Sequence, residues 1–286
     1  MITFYPKIED WMKEFPVELI DEMYENQKKI YGEPTRATNQ LTIEYSELYK
    51  ILSSHNLKEI EFLVQNIMQG YMIFIKNVLS PEQITQINKI FLKLQSDQPS
   101  SFHKIYDGVP NFWRNITEEL AKNYAVPVVK KTSYWFPWNA GSEKIYELIM
   151  PIYRAFKALG GKSPIEYERN IPSTGKVDRI QIVHYPAKSG QLDAHHDPKE
   201  GQRLIMSGYM TQKGRDFDGG GFWALGADDN KIDMESYISA GDFGTCYAEI
   251  IHGVDATDSG DRGFIGMYSI DSDYIQNRDT TRVVKN

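Results

Sequence analysis

The second half of the chain consists of short apolar and aromatic runs separated by clusters of glycine, aspartate and proline, and this texture limits the fold more than any other feature. The runs are rich in β-branched and aromatic residues, as is typical of strands. They cover residues 179–185, 203–211, 221–225, 244–250 and 263–270. Short strands at fairly regular spacing predict a β-sandwich or a jelly-roll barrel.

The first half of the chain has helical periodicity instead. Apolar residues recur at three- and four-residue spacing in residues 17–31 and 57–69, and each segment ends at a glycine. A strand is predicted over residues 71–79. A helix follows it, because Ser80 and Gln83 can form a capping box around a proline at the first helical position.

A further helix is predicted over residues 142–158, with a kink at Pro151. We therefore expect an α+β chain in which a jelly-roll barrel, the double-stranded β-helix, has a helical N-terminal cover. Residues 1–70 are expected to be a helical extension. Residues 71–286 are expected to be the barrel domain with its supporting helices, and the two parts should fold as a single compact unit.

Charge and composition argue against several kinds of partner and site, the charge only weakly. The formal charge is −7, whereas nucleic acids and anionic membranes reward a basic surface. No apolar stretch approaches membrane-spanning length. Cys246 is the single cysteine, so an intramolecular disulfide is excluded.

With no signal peptide at the N-terminus, we expect a cytoplasmic protein. An exposed apolar helix face in the first 70 residues would allow a homodimer.

Three residues form a candidate metal site. His195 and Asp197 are two positions apart, and in an extended chain such residues point to the same side. His252 lies at the end of a different predicted strand. Two histidines and one carboxylate on one face of a metal form the facial triad of non-haem Fe(II) oxygenases, which leaves other positions open. A His-x-Asp tripeptide alone is weak evidence, so the hypothesis depends on the joint pattern.

Arg262 extends that pattern. It begins the last predicted strand, ten residues after His252. A guanidinium inside a barrel needs an anionic partner, and it suits a carboxylate in bidentate fashion. A dicarboxylate that chelates iron through its 2-oxo-acid end would present its far carboxylate there. The alternative is a surface arginine paired with Asp258 or Asp261.

The sequence around these residues resembles the prolyl-4-hydroxylase-like Fe(II)/2-oxoglutarate-dependent oxygenases. The segment YPAKSGQLDAHHD (185–197) is similar to the tyrosine-bearing strand and glycine loop that lead into His-x-Asp in that family. The segments RLIMSGYMT (203–211), DFDGGGFWAL (216–225) and GDFGTCYAEIIHGVDATDSGDRGFIGMYSI (241–270) resemble its later core strands, distal histidine and co-substrate arginine. The resemblance covers roughly residues 178–272.

The resemblance implies specific roles. His195, Asp197 and His252 would be the catalytic Fe(II) ligands, Arg262 would hold the distal carboxylate of 2-oxoglutarate, and Tyr185 would line the pocket of this co-substrate. O2 would be the second co-substrate. Met210 stands where some prolyl hydroxylases place another tyrosine, and Tyr209 is adjacent.

Because Asp197 supplies a carboxylate where related halogenases have a small residue, hydroxylation is favoured over halogenation. We expect hydroxylation of an unactivated C–H bond of a small polar metabolite such as an amino acid, with decarboxylation of 2-oxoglutarate to succinate. The helical part, as a lid on the barrel, favours the small molecule. The alternatives are a peptidyl or protein hydroxylase and a non-catalytic, cupin-like metal- or sugar-binding protein. Arg179, Arg203 and Arg215 could each meet an anionic substrate group, although solvated charges are the default interpretation.

Overall fold

A computed structural model describes residues 4–106, 108–168, 175–199 and 201–271. Within these ranges the helices are α1 (Asp10–Lys13), α2 (Val17–Tyr31), α3 (Tyr45–Ser53), α4 (Leu57–Met68), α5 (Pro81–Asp97), α6 (Glu118–Ala121) and α7 (Glu143–Leu159). The strands are β1 (Asn39–Glu44), β2 (Tyr71–Lys76), β3 (Phe112–Ile116), β4 (Val128–Trp135), β5 (Lys176–Tyr185), β6 (Gln191–His195), β7 (Ser207–Tyr209), β8 (Gly221–Leu225), β9 (Lys231–Asp233), β10 (Phe243–Thr245), β11 (His252–Asp255) and β12 (Arg262–Asp271).

Two layers of sheet share strand β4. The long layer has the order β1-β2-β10-β7-β12-β5-β4, with β3 on β4, and the short layer has the order β4-β6-β11-β8-β9. The ladders are antiparallel except for β1 on β2. Phe222 of the short layer packs on Tyr209 of the long layer, with ring centroids 6.2 Å apart. The layers therefore face each other, an arrangement consistent with the expected jelly roll.

Helices pack on the outer face of the long layer. Tyr146 of α7 donates hydrogen bonds to the carbonyl oxygens of Trp135 and Asp178, at 3.0 and 3.1 Å. Phe91 of α5 contacts the ring of His184, which points outward from β5. α7 continues through Pro151 as one helix. These contacts leave the inner face of β5 to the space between the layers.

The N-terminal part contains a strand as well as helices. β1 pairs with β2 over six residues, which extends the long layer across the expected boundary at residue 70. Tyr24 of α2 donates a hydrogen bond to the carbonyl oxygen of Leu159 in α7. The helical cover and the division into two parts stay predictions. No helix in the described ranges is long and apolar enough to cross a membrane.

Candidate metal centre

A tight turn places His195. β5 ends at Tyr185, and the amide of Gly190 donates a hydrogen bond to the carbonyl oxygen of Pro186 at 2.7 Å. A Cβ at Gly190 would lie 2.5 Å from backbone atoms of Tyr185 and Pro186, so the turn requires glycine. β6 then runs back across the molecule and ends at His195.

His252 lies beside His195 on the neighbouring strand. The two are register partners in the β6–β11 ladder, and the register shifts between His252 and Val254. Their ring centroids are 4.3 Å apart. His252 is the first residue of β11. The strand predicted over residues 244–250, which was expected to lead into it, ends at Thr245 as β10. The two histidines lie on different strands, as predicted, and these strands are neighbours in the short layer.

Backbone acceptors orient both rings. Nδ1 of His195 lies 2.9 Å from the carbonyl oxygen of Asp193, and Nδ1 of His252 lies 2.9 Å from that of Ile250. A carbonyl can only accept, so each Nδ1 donates and each Nε2 carries the lone pair. Both Nε2 atoms lie 3.9 Å from the carboxylate of Asp197. One ligand atom from each of the three residues lies within 4.8 Å of the others.

The chemistry of these donors suits a divalent metal. Burial, followed by the neighbouring His252, lowers the pKa of His195 to about 4, although Asp197 opposes this shift. The imidazole is therefore neutral at physiological pH, which is the form that binds a metal. Two imidazoles and one carboxylate on the same side form a donor set that fits Fe(II) and leaves other positions open.

Asp197 follows the end of β6, and its amide donates a hydrogen bond to the carbonyl oxygen of Ala248 at 3.0 Å. His196, between the two candidate ligands, has its Nδ1 3.3 Å from Glu249. The expected alternation is therefore present: positions 195 and 197 converge, and position 196 has a different partner.

Arg262 lies inside the molecule. It is 2% exposed, and its Nε donates to the carboxylate of Glu235, which is also buried. Asp261, one of the two surface partners considered for it, accepts a hydrogen bond from the amide of Ala187 instead. The interpretation of Arg262 as a surface residue is therefore excluded, and its side chain borders the cavity.

Aromatic rings surround this guanidinium. Its Cζ lies 5.8 Å from the ring centroids of both Tyr185 and Tyr209, and 5.9 Å from that of Phe222. Burial raises the pKa of Tyr185 to about 12, although Arg262 lowers it, so the phenol stays a proton donor. The ring of Tyr209, the neighbour of Met210, therefore lies beside the guanidinium of Arg262. Arg262 and Tyr185 pair directly in the β12–β5 ladder.

One cavity of about 570 Å³ joins these groups. It is lined by both predicted sets of residues, the metal set (His195, Asp197, His252) and the co-substrate set (Arg262, Tyr185). The described lining residues begin at Ile116, so the N-terminal helices contribute no wall to the cavity.

Glu235 is the site residue that sequence reasoning missed. It lies on a 3₁₀ turn, Glu235–Tyr237, and accepts a second hydrogen bond from the amide of Phe222 at 2.8 Å. Its contact with Arg262 spans 27 residues, and no local motif marks it. Arg179 and Gln181 also line the cavity. Arg179 was among the arginines that the sequence offered to an anionic substrate group, whereas Gln181 was also missed. Gln181 is four residues before Tyr185 on β5, and this even spacing, which puts both on one face, is a signal that could have found it.

Comparison with known proteins gives a likeness of fold. No protein-family model matches the sequence, and no curated protein matches it. The crystal structure of the full-length thymine-7-hydroxylase of Neurospora crassa, in complex with alpha-KG, matches with a TM-score of 0.50 at 12% identity, over 80% of this chain and 84% of that chain.

Two prolyl hydroxylase structures match at lower TM-scores. The Pseudomonas putida prolyl-4-hydroxylase matches with a TM-score of 0.47 at 12% identity, over 70% of this chain and 92% of that one. The prolyl hydroxylase from Trichoplax adhaerens, in complex with a hypoxia inducible factor peptide fragment, matches with a TM-score of 0.48 at 16% identity, over 80% and 97%. The likeness of fold therefore rests on the thymine-7-hydroxylase structure, whose TM-score is 0.50.

Proposed function

We propose that the chain is an Fe(II)- and 2-oxoglutarate-dependent dioxygenase that hydroxylates an unactivated C–H bond of a small polar metabolite. One observation carries the proposal: the Nε2 atoms of His195 and His252 converge on the carboxylate of Asp197, and the buried Arg262 borders the same cavity. A cupin-like binding protein would not require the second part of this arrangement.

Each residue has a role in the proposed reaction. His195, Asp197 and His252 would hold Fe(II), which with 2-oxoglutarate and O2 supplies the oxidising chemistry, while the protein supplies position and exclusion of water. Arg262, oriented by Glu235, would bind the distal carboxylate of 2-oxoglutarate in bidentate fashion. Tyr185, whose phenol stays protonated, would donate a hydrogen bond in the same pocket.

The size of the cavity supports a small molecule rather than a polypeptide. Its volume of about 570 Å³ lies within the range of small-molecule sites, about 300–1,000 Å³. The preference therefore depends on the cavity itself, and not on a helical lid. A cytoplasmic location and a homodimer stay predictions.

The first prediction tests the metal ligands. His195→Ala and Asp197→Ala should each abolish succinate formation from 2-oxoglutarate, because each removes one of three ligands. Both should also weaken anaerobic Fe(II) binding, measured by equilibrium dialysis. The fold should persist, because His195 lies at the end of β6 and Asp197 just beyond it. Melting curves and circular dichroism would check this.

His103→Ala is the matched control. His103 packs on Phe112, does not line the cavity, and should leave both iron binding and turnover unchanged. Undiminished succinate formation in both ligand variants would refute the assignment. Tight iron binding in the native protein without any succinate would instead favour the cupin-like binding protein.

A further inference from the structure

The cavity has a second arginine, Arg179, at a distance from Arg262. Of the three arginines that the sequence offered to an anionic substrate, Arg179 alone lines the cavity among the described residues. Arg203 donates to Asp21 and to the carbonyl oxygen of Gly160. Arg215 is exposed and pairs with the adjacent Asp216. Of these three, Arg179 is the one whose side chain borders the cavity in the described part of the chain.

Strand register places the two arginines at opposite ends of one face. Arg262 pairs with Tyr185, and Tyr268 pairs with Arg179, in the same β12–β5 ladder. The offset is six residues on each strand, and because six is even, the four side chains lie on the same face. At about 3.3 Å per residue, the two ends are about 20 Å apart. Two carboxylates could therefore bind at separate ends of the cavity.

Neighbouring side chains hold the guanidinium of Arg179 in place. One of its terminal nitrogens, Nη2, donates to Gln181 at 3.1 Å, and Gln181 in turn donates to Thr132 at 3.0 Å. The ring centroid of Tyr134 lies 4.7 Å from Cζ of Arg179, and that of Tyr268 lies 5.8 Å from it. Arg179 is only 8% exposed, so its orientation is fixed before any ligand binds.

Tyr268 links this end of the cavity to the candidate metal ligands. Burial raises its pKa well above the ordinary value, and the carboxylate of Asp197 raises it further, while Arg179 lowers it. Asp197 and Arg179 therefore both lie within electrostatic range of one phenol. A small molecule held by Arg179 would lie in the same cavity as the candidate metal ligands.

Among the described residues that line the cavity, cationic side chains outnumber carboxylates, although the chain is acidic. Four described lining residues are cationic (Lys130, Lys176, Arg179, Arg262) and two are carboxylates (Asp197, Glu249). Glu249 already faces His196 and Lys199. Such a wall raises the local concentration of small anions.

We propose that Arg179 binds a carboxylate of the substrate, so that the substrate is a small carboxylic acid, such as a free amino acid, with its oxidised carbon toward His195, Asp197 and His252. This inference rests on the proposed function and names its substrate class. A planar guanidinium fork matches a carboxylate with two parallel hydrogen bonds. Arg262 would serve the co-substrate, and Arg179 would serve the substrate.

The test compares acids with their amides. Succinate formation by the Fe(II)-loaded protein with 2-oxoglutarate would be measured without substrate, with each free L-amino acid, and with the primary amide of each. At least one acid should stimulate turnover, and its amide should do so about tenfold less, because loss of a charged hydrogen bond is worth about 1.5–3 kcal/mol. Arg179→Gln should lose the stimulation by about the same factor, and Arg179→Lys should keep part of it.

Two readouts separate this inference from the proposed function. Arg179→Gln should keep the KM for 2-oxoglutarate and the anaerobic affinity for Fe(II), and the second of these also shows that it is folded. Arg203→Gln, which alters an arginine outside the cavity, should behave as the native protein does.

The inference is overturned if amides stimulate as well as acids, if no acid stimulates, or if Arg179→Gln responds as the native protein does. A raised KM for 2-oxoglutarate in Arg179→Gln would also overturn it, by assigning Arg179 to the co-substrate. Absence of any succinate from the native protein would instead be a failure of the proposed function, and the inference would fall with it.

Discussion

The buried ion pair between Arg262 and Glu235 fixes the direction in which one cation points. Burying a lone charge costs several kcal/mol, so each partner depends on the other. The bond uses Nε of Arg262, and the second hydrogen bond of Glu235, from the amide of Phe222, ties the pair to β8. The terminal nitrogens of the guanidinium therefore meet an incoming carboxylate in a set orientation.

His184 gives a prediction about pH at this scale. Its Nε2 donates to Asn88 at 3.2 Å, and burial lowers the pKa of the ring to about 4. The unfolded chain takes up a proton near pH 6.5, whereas the folded one does so only near pH 4. The contribution of His184 to stability is thus complete above about pH 6.5 and is lost as pH falls toward 4.

The free energy of unfolding of the native protein should therefore fall by about 2 kcal/mol more than that of His184→Gln between about pH 7 and pH 5. Glutamine does not titrate, and its amide can still donate to Asn88. Denaturant unfolding at both pH values would measure the difference. An equal loss in the two proteins would show that the ring titrates normally in the fold.

At the scale of elements, α5 begins with a complete capping box. The hydroxyl of Ser80 accepts from the amide of Gln83 at 3.3 Å, and the side chain of Gln83 accepts from the amide of Ser80 at 2.7 Å. Ser80→Ala should lower the free energy of unfolding by about 1 kcal/mol, because one end-of-helix amide loses its acceptor. Urea denaturation would measure this loss.

Ser96→Ala on the same helix is the matched control. Its exposed hydroxyl donates to the carbonyl oxygen of Lys93 at 2.8 Å and lies 3.4 Å from the carboxylate of Asp97, and it caps no helix amide, so its removal should change stability by less than about 0.5 kcal/mol. Equal losses in the two variants would mean that the cap contributes nothing beyond a general effect of removing serine.

Some elements could be predicted from the sequence and others could not. Helices α2 and α4 and strand β8 follow local periodicity and match their predicted ranges closely. The runs 203–211 and 244–250 give only three-residue strands. An apolar run predicts that its residues are buried, but not that they form a paired strand. Cys246, Ala248 and Ile250 are fully buried, yet they lie beyond the end of β10.

The candidate site divides in the same way. The two-residue spacing of His195 and Asp197 was enough to predict that both side chains point to the same side, because the alternation of side chains in an extended chain is a local property. The partnership of Arg262 with Glu235 depends on two distant segments meeting, so local pattern could not supply it. β4 went unpredicted, because lysines interrupt its apolar residues.

For the whole molecule, the site joins two layers of sheet. The three candidate metal ligands come from β6, from the residues just after it, and from β11 in the short layer, whereas Arg262 belongs to β12 in the long layer. Ligands that bind only the folded form add about 2.7 kcal/mol at one hundred times their Kd. Fe(II) with 2-oxoglutarate, without O2, should therefore raise Tm by several degrees more than Fe(II) alone.

Arg262→Gln should remove most of this additional rise while keeping the rise due to Fe(II), because the metal ligands are unchanged. Differential scanning calorimetry under anaerobic conditions would measure both. An additional rise of native size in the variant would mean that the co-substrate is held elsewhere.

The four described cationic residues of the cavity wall lie inside a molecule of formal charge −7. An anion in solution is repelled by the molecule as a whole and attracted only once it is near the opening. Dissolved ions screen charges separated by more than about 8–10 Å, so they weaken the distant repulsion more than the nearby attraction. Moderate ionic strength should thus hasten the capture of small anions, the reverse of what holds for a protein whose overall charge draws its ligand in.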